Sequence, residues 1–256
     1  MKKVIVLVSF GVADARVRAN CLDKTAFHIA RALPGYSLVQ AYTSETVRRK
    51  MIEGGLGAQS LSECLEELLD SGCEEAYVQP THLTPGEEYD NKILPVAKEF
   101  ESRFARLKVG EPVFFHDYDY DDVLAALEES LAREDEEEIV LLGHGSPHRH
   151  NPVYERLQQN AQDLPITVGV IEENDKPNFD DVITRLQGKA VKNVLLAPLL
   201  VSGGVHVVED MVGVGKGSWK NRLLDAGFSV RTELRSLGEY PAFRSIYIKK
   251  IRRLIG

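Results

Sequence analysis

The feature of this sequence that most restricts its fold is the alternation of short apolar runs with longer amphipathic stretches along the whole chain. Apolar runs bounded by turn residues are typical of buried strands, and the stretches between them are long enough for helices. We predict strands at residues 4–8, 37–41, 76–79, 138–142, 166–171, 194–197 and 228–232. This order of elements predicts an α/β fold in which mainly parallel sheets are flanked by helices.

Two helices are marked clearly enough to be placed. Ser60 and Glu63 have the spacing of a capping box, leucines recur on one face from Leu61, and Gly72 provides a stop signal. Near the C-terminus, isoleucines recur among Lys and Arg in an amphipathic pattern. We therefore predict helices over residues 61–71 and 244–254.

The two halves of the sequence resemble each other. Residues 5–11 read IVLVSFG and residues 139–145 read IVLLGHG, so four of seven positions are identical. Farther on, residues 80–88 and 198–206 each begin with a Pro at a strand end, and Glu88 aligns with His206. Chance similarity between two short β-turns is the alternative to a repeat.

A true repeat predicts two Rossmann-like domains, residues 1–130 and 131–256, with a cleft between them. The second domain would carry the functional residues described below. The last helix is expected either on its own domain or against the domain junction.

The charge balance bears on two classes of protein. Lys and Arg total 31 and Asp and Glu total 39, which gives a net charge of −8. This balance argues against a binder of nucleic acid or of an anionic membrane, because such proteins carry a basic excess. The acidic run 134–138 is interpreted as a solvated surface segment.

Compartment signals favour a cytoplasmic protein. The three cysteines show no C-x-x-C spacing, which is typical of a reducing compartment. No apolar run approaches the roughly 18 residues that a membrane-spanning helix needs. Lys2 and Lys3 before an apolar run resemble a short export signal, but Ser9 and Gly11 interrupt the run, so we interpret it as the first strand.

Three candidate functional residues follow strands of the second half. His144 lies between two glycines after strand 138–142, Glu172 follows strand 166–171, and His206 follows a glycine loop after strand 194–197. Ligands of open parallel sheets bind outside the carboxyl ends of the strands, so we expect these side chains to converge. Two imidazoles and a carboxylate suit a borderline divalent ion such as Co²⁺, Ni²⁺, Fe²⁺ or Zn²⁺. The same groups could instead transfer protons near neutral pH.

Several spaced motifs occur in order along the chain. They are VSFG at 8–11, HLTPGEEY at 82–89, GHG at 143–145, VGVIE at 168–172, GVHVVEDM at 204–211, SWK at 218–220 and LGEYP at 237–241. Together they resemble the anaerobic, type II sirohydrochlorin cobaltochelatases, which share the chelatase fold with ferrochelatase. The resemblance covers nearly the whole chain, although residues 173–177 match no motif of that family.

The resemblance implies an enzyme that inserts Co²⁺ into sirohydrochlorin on the early-cobalt, anaerobic route to cobalamin. Co²⁺ would be the substrate metal and sirohydrochlorin the partner molecule. His144, Glu172 and His206 would form the metal site, and Glu88 would act with the two histidines in catalysis from across the cleft. Which histidine is a ligand and which a base stays open.

Sirohydrochlorin carries eight carboxylates, so a protein of net charge −8 needs local cations to bind it. The basic candidates near the motif loops are His148, Arg149, His150, Lys216 and Lys220. Ser9 and His82, which follow strands of the first half, are further candidates for substrate contact.

Alternatives remain within and beyond this enzyme class. The sequence lacks the G-x-x-x-x-G-K-[ST] loop, so we expect no nucleotide cofactor. A His and Glu site does not discriminate Co²⁺ from Fe²⁺ or Ni²⁺, and a non-catalytic carrier of a tetrapyrrole or a metal would use the same ligands. The sequence gives no direct indication of oligomeric state, so both a monomer and a homo-oligomer are compatible with it.

Overall fold

The computed structural model of the protein describes residues 2–146, 149 and 151–256. The chain forms two compact units. The N-terminal unit contains the residues up to Asp119 together with Phe243–Gly256, and the C-terminal unit is Tyr120–Ala242. Within the described residues, no helix is both long and apolar enough to cross a membrane.

The N-terminal unit is built on a parallel sheet of four strands. These are β1 (Lys3–Ser9), β2 (Ser37–Tyr42), β3 (Glu75–Pro80) and β4 (Arg106–Val109), in the order β2-β1-β3-β4. Its α-helices are α1 (Ala15–Arg18), α2 (Lys24–Ala32), α3 (Glu45–Glu53), α4 (Leu61–Asp70) and α5 (Leu94–Phe100). Residues Ala19–Asp23 and Glu87–Ile93 are π-helical, and Glu101–Arg103 form a 3₁₀ turn.

Helix α6 (Asp117–Ser130) leads into the C-terminal unit, which has a second parallel sheet of four strands. These are β5 (Glu137–Gly143), β6 (Ile166–Val170), β7 (Asn193–Pro198) and β8 (Ser229–Thr232), in the order β6-β5-β7-β8. The further helices of this unit are α7 (Val153–Asn160), α8 (Phe179–Gly188), the π-helix His206–Met211, α9 (Trp219–Asp225) and the 3₁₀ turn Leu237–Glu239. The last helix is α10 (Pro241–Ile255), which from Phe243 onward belongs to the N-terminal unit.

The central strand of each sheet is buried on both faces. Val4–Val8 in β1 and Ile139–Leu142 in β5 are all at most 3% exposed. A strand that is covered by helices on both faces needs a continuous apolar run rather than an alternating one. The seven predicted strands are therefore confirmed, within one or two residues at their ends.

The register of the sheets confirms the internal repeat. Val8 pairs with Pro80 at the end of β3, and Leu142 pairs with Pro198 at the end of β7. The sequence alignment equates Val8 with Leu142, and the two sheets have the same strand order. The two units thus present equivalent loops after equivalent strands.

The loop after the central strand is also equivalent in detail. The N–H of Ser44 donates to Phe10 O in the N-terminal unit, and the N–H of Glu172 donates to His144 O in the C-terminal unit. The next residue of each loop is a glycine with positive φ, 103° at Gly11 and 81° at Gly145. Phe10 therefore occupies in the first unit the place of His144 in the second.

The structure differs from the predicted organisation at strand β4 and at the last helix. Strand β4 was not predicted, because it lies at a sheet edge and two of its four residues are Arg and Lys. The predicted domain 131–256 included the last helix, whereas residues from Phe243 onward belong to the N-terminal unit. In α10, Tyr247 Oη donates to Thr81 O at 2.8 Å, and Lys250 Nζ lies 2.9 Å from Asp119 Oδ2.

The interpretation of residues 134–138 as a solvated run is wrong for its last two members. Glu137 and Glu138 are 6% and 5% exposed. Arg231 Nη2 donates to Glu137 Oε2 at 2.6 Å, and Lys189 Nζ donates to Glu138 Oε1 at 2.6 Å. Both carboxylates are buried because β5 begins there and each finds a cation on a neighbouring element.

Candidate metal-binding site

His144 projects from the loop that follows β5, and its two flanking glycines have different functions. Gly145 has a φ of 81°, which favours glycine. Gly143 lies against the ring of Tyr154, where a Cβ atom would collide with the ring. Burial raises the pKa of Tyr154 to about 12, so its hydroxyl stays protonated at neutral pH. The tight loop leaves the imidazole of His144 only partly covered.

His206 is the first residue of the π-helix His206–Met211, after the glycines 203 and 204. Val207 N donates to Gly203 O at 3.2 Å and starts this helical segment. Val207 and Met211 are 5% and 1% exposed, so they fix one face of the helix to the core. This segment is π-helical rather than α-helical.

The structure brings the two imidazoles together. The ring centroids of His144 and His206 are 4.6 Å apart, and the ring planes are perpendicular. His144 Nδ1 lies 3.0 Å from Gly145 O, and His206 Nδ1 lies 2.8 Å from Asp210 Oδ2. Both partners only accept hydrogen bonds, so in each neutral ring Nδ1 carries the proton and Nε2 has a free lone pair.

Glu172 lies beside this pair but does not complete a preformed site. Its N–H donates to His144 O at 3.1 Å, and its Cβ would lie 3.1 Å from a Cβ placed on Gly145. Among residues 2–146, 149 and 151–256, no three His, Cys, Asp or Glu side chains are close enough together to hold a metal ion. The structure thus assembles two of the three predicted ligands and places the backbone of the third next to them.

Two carboxylates that support the histidines were not singled out from the sequence. Asp175 is 1% exposed, its Oδ2 accepts from Ser146 N at 2.7 Å, and its Oδ1 accepts from Lys176 N at 2.9 Å. It holds the segment after His144 from within the stretch that matched no family motif. Asp210 lay inside a motif, and its spacing of four residues from His206 was the available signal.

The candidate residues of the N-terminal unit are buried polar groups with missing partners. Among the described residues, no hydrogen-bond partner meets Ser9 Oγ, either ring nitrogen of His82, or Glu88 Oε2. The other oxygen of Glu88, Oε1, lies 2.5 Å from Lys92 Nζ. Burial lowers the pKa of His82 to about 4, the charge of Glu88 opposes this shift, and the charge of Lys92 adds to it. His82 is therefore neutral at physiological pH.

The cationic candidates that the structure describes are accessible. Arg149 and Lys216 are exposed and Lys220 is half-buried. The loop that carries Lys216 is held by Asn221, whose Nδ2 lies 3.2 Å from Gly213 O and 2.9 Å from Gly215 O. The predicted candidates His148 and His150 lie outside the described residues.

The fold is that of the chelatases. The structure of SirB from Bacillus subtilis with Fe³⁺ matches with a TM-score of 0.68 at 14% identity and covers 99% of this chain and 96% of that one. The sirohydrochlorin chelatase SirB from Bacillus subtilis subspecies spizizenii in complex with cobalt matches with a TM-score of 0.62 at 13% identity. That second match covers 99% of this chain and 95% of the other.

The chain belongs to the cobalt chelatase family CbiK, whose profile matches residues 3–256. The sirohydrochlorin cobaltochelatase of Salmonella typhimurium is 29% identical over the whole of this chain and 97% of its own length. The sirohydrochlorin cobaltochelatase CbiKC of Nitratidesulfovibrio vulgaris is 30% identical over the whole of this chain and 91% of its own. The predicted family and α/β fold are thus confirmed.

Proposed function

We propose that this protein inserts Co²⁺ into sirohydrochlorin, and that His144 and His206 hold the ion before its transfer. The observation that carries the proposal is the pair of imidazoles, with ring centroids 4.6 Å apart, in a chain of the cobalt chelatase family. Relatives that share about 30% identity over the full length of this chain are sirohydrochlorin cobaltochelatases, which supports the choice of tetrapyrrole.

The ligand chemistry suits an ion that must be released. Imidazole nitrogen binds Co²⁺ but holds it less firmly than thiolate, so the four ring nitrogens of the macrocycle can compete for it. The three cysteines of the chain are buried thiols. Glu172 is the proposed third ligand, because its backbone lies beside His144 and its carboxylate would partly neutralise the charge of the ion.

Metal insertion also requires the removal of two pyrrole protons. Once the ion has left, Nε2 of either histidine can accept one of them. Glu88 is proposed to assist, because its buried Oε2 has no partner in the described chain and a buried acceptor is costly until a ligand donates to it. Ser9 and His82 are proposed to hydrogen-bond the tetrapyrrole for the same reason.

The carboxylates of the substrate need cations. We assign Arg149, Lys216 and Lys220 to this role. Their side chains are exposed or half-buried, and along the sequence they lie near the loops that carry the two histidines. The chain has no phosphate-binding loop of the G-x-x-x-x-G-K-[ST] type, so the proposed reaction uses no nucleotide.

The test is a metallation assay. Purified protein with sirohydrochlorin and Co²⁺ should change the visible spectrum of the ring faster than the same mixture without protein. His144→Ala and His206→Ala should each lower the rate by about 100-fold or more, since each removes a ligand and a proton acceptor. His28→Ala, which removes a histidine of α2, is the control and should retain the rate. A rate equal to that of the uncatalysed mixture would reject the proposal.

Two further outcomes would reassign the function. Faster insertion of Fe²⁺ or Ni²⁺ than of Co²⁺ in a competition assay would change the metal, because the ligand types alone do not decide between these ions. A stoichiometric complex that forms without turnover would identify a carrier rather than an enzyme.

A further inference from the structure

One contact of the candidate metal site is not explained by the stability of the fold. His206 Nδ1 lies 2.8 Å from Asp210 Oδ2, and the two side chains are 44% and 41% exposed. Charged or polar pairs at such exposed positions contribute little to folding stability. The contact is nevertheless well formed, because both residues are on the short π-helix His206–Met211.

The π-helix keeps His206 and Asp210 partly exposed because its neighbouring apolar residues are buried. Val207 and Met211 have the same four-residue spacing as His206 and Asp210, and both are buried. Since the buried pair fixes the rotation of the helix, the adjacent pair is held at the partly exposed surface. The carboxylate thus lies beside the ring without taking part in the core.

The carboxylate decides which nitrogen of His206 is free. A neutral imidazole carries one N–H, and a carboxylate accepts but does not donate, so the proton is held on Nδ1. Without this acceptor the ring could carry its proton on Nε2, and that nitrogen could bind a metal only after the proton had moved to Nδ1. Carboxylates in this position also make a metal-binding imidazole a better ligand.

The second imidazole reaches the same state through a different acceptor. His144 Nδ1 lies 3.0 Å from Gly145 O, a main-chain carbonyl. Both rings are therefore prepared with Nε2 unprotonated, one by the backbone and one by a side chain. Of these two acceptors, only the Asp210 carboxylate can be removed by substitution.

We propose that Asp210 is a positioning residue that holds His206 in the Nδ1–H tautomer and so presents Nε2 to Co²⁺; this inference rests on the proposed function. Asp210 acts through His206, and its bonded Oδ2 does not contact the ion.

The experiment compares Asp210→Ala and Asp210→Asn with the unmodified protein. Asp210→Asn keeps the shape of the side chain, and its amide can donate to Nδ1, which favours the wrong tautomer. Titration with Co²⁺ in the absence of tetrapyrrole should show a loss of affinity of about 10- to 100-fold for both variants. Glu209→Gln is the matched control, because it removes one carboxylate from an exposed position of the same helix and should keep the affinity within about twofold.

A tautomer measurement distinguishes positioning from a merely structural role. In ¹⁵N spectra of the metal-free protein, the ring signals of His206, assigned by their loss in His206→Ala, should indicate Nδ1–H in the unmodified protein and Nε2–H in Asp210→Asn. Unchanged ring signals, or Co²⁺ affinities within twofold of the unmodified protein, would overturn the inference.

The two proposals fail in different ways. If the unmodified protein does not metallate sirohydrochlorin, the proposed function is wrong whatever the variants do. If it does so and the Asp210 variants retain their Co²⁺ affinity and tautomer, only the role of Asp210 is wrong.

Discussion

At the scale of single residues, burial changes the protonation of one candidate site residue, His82. Both of its ring nitrogens are buried without a partner among the described residues, and its pKa is lowered to about 4 by burial. A structural histidine would normally satisfy its nitrogens within the protein. The unsatisfied nitrogens of His82 are the reason that we propose it as a residue that hydrogen-bonds the tetrapyrrole.

This burial makes the free energy of unfolding depend on pH. The unfolded chain binds a proton at His82 near pH 6.5 and the folded protein only near pH 4, so stability must fall as pH decreases through this window. We expect this one residue to cost about 1 to 2 kcal/mol between pH 7 and pH 5.

Urea unfolding of the protein and of His82→Phe at both pH values would measure this term. The variant should lose less stability than the unmodified protein on going from pH 7 to pH 5, because other groups titrate equally in both. Identical losses would show that His82 is not held neutral by the fold.

Residue identities at the site could be predicted from the sequence better than their contacts. The position of His144 and His206 after strands β5 and β7 follows from the apolar runs, and the glycines mark the loops. The supporting residue Asp175 could not be found in this way, because nothing in a five-residue loop indicates which carboxylate turns inward to a backbone N–H. Such contacts depend on the path of the loop in three dimensions.

At the scale of elements, local signals were reliable where the local chemistry decides the structure. Helix α4 begins with the predicted capping box: Ser60 Oγ accepts from Glu63 N at 3.2 Å, and Glu63 Oε2 accepts from Ser60 N at 2.7 Å. The three π-helical segments of the described residues were not predicted, because the apolar spacing of a π-helix over one turn is close to that of an α-helix. Edge strand β4 was missed because its exposed residues do not form an apolar run.

The capping box provides a prediction for α4. Ser60→Ala removes the acceptor for Glu63 N and should lower the free energy of unfolding by about 1 kcal/mol. Ser62→Ala is the matched control, because Ser62 is exposed inside the same helix, where Ala is the better helix former. Thermal and urea unfolding would give both values, and an equal effect of the two substitutions would contradict the role of the cap.

At the scale of the whole molecule, the chain leaves the N-terminal unit and returns to it. Residues from Phe243 onward pack with the unit that contains β1, and Lys250 and Asp119 form a buried ion pair with side chains 4% and 1% exposed. Asp119 Oδ2 also accepts from Phe115 N at 3.0 Å and His116 N at 2.8 Å. The amphipathic pattern of α10 predicted an apolar face but could not tell which unit that face covers.

The ion pair between Lys250 and Asp119 should contribute strongly to holding α10 in place. Lys250→Met leaves the Asp119 carboxylate buried without its cation, which should cost about 3 kcal/mol of unfolding free energy. Arg252→Met, at an exposed position of the same helix, should change stability by less than about 0.5 kcal/mol. Urea unfolding of both variants would measure the difference, and a Lys250→Met effect as small as that of Arg252→Met would show that the pair does not anchor the helix.

The return of α10 has a consequence for biosynthesis. A domain near the start of a chain usually completes its structure first as it emerges from the ribosome. Here the unit that contains β1 lacks its final helix until residues 243–256 have been translated, whereas residues Tyr120–Ala242 form an uninterrupted segment. We therefore expect the unit Tyr120–Ala242 to reach its native state first, and the unit that contains β1 to wait until α10 has been synthesised.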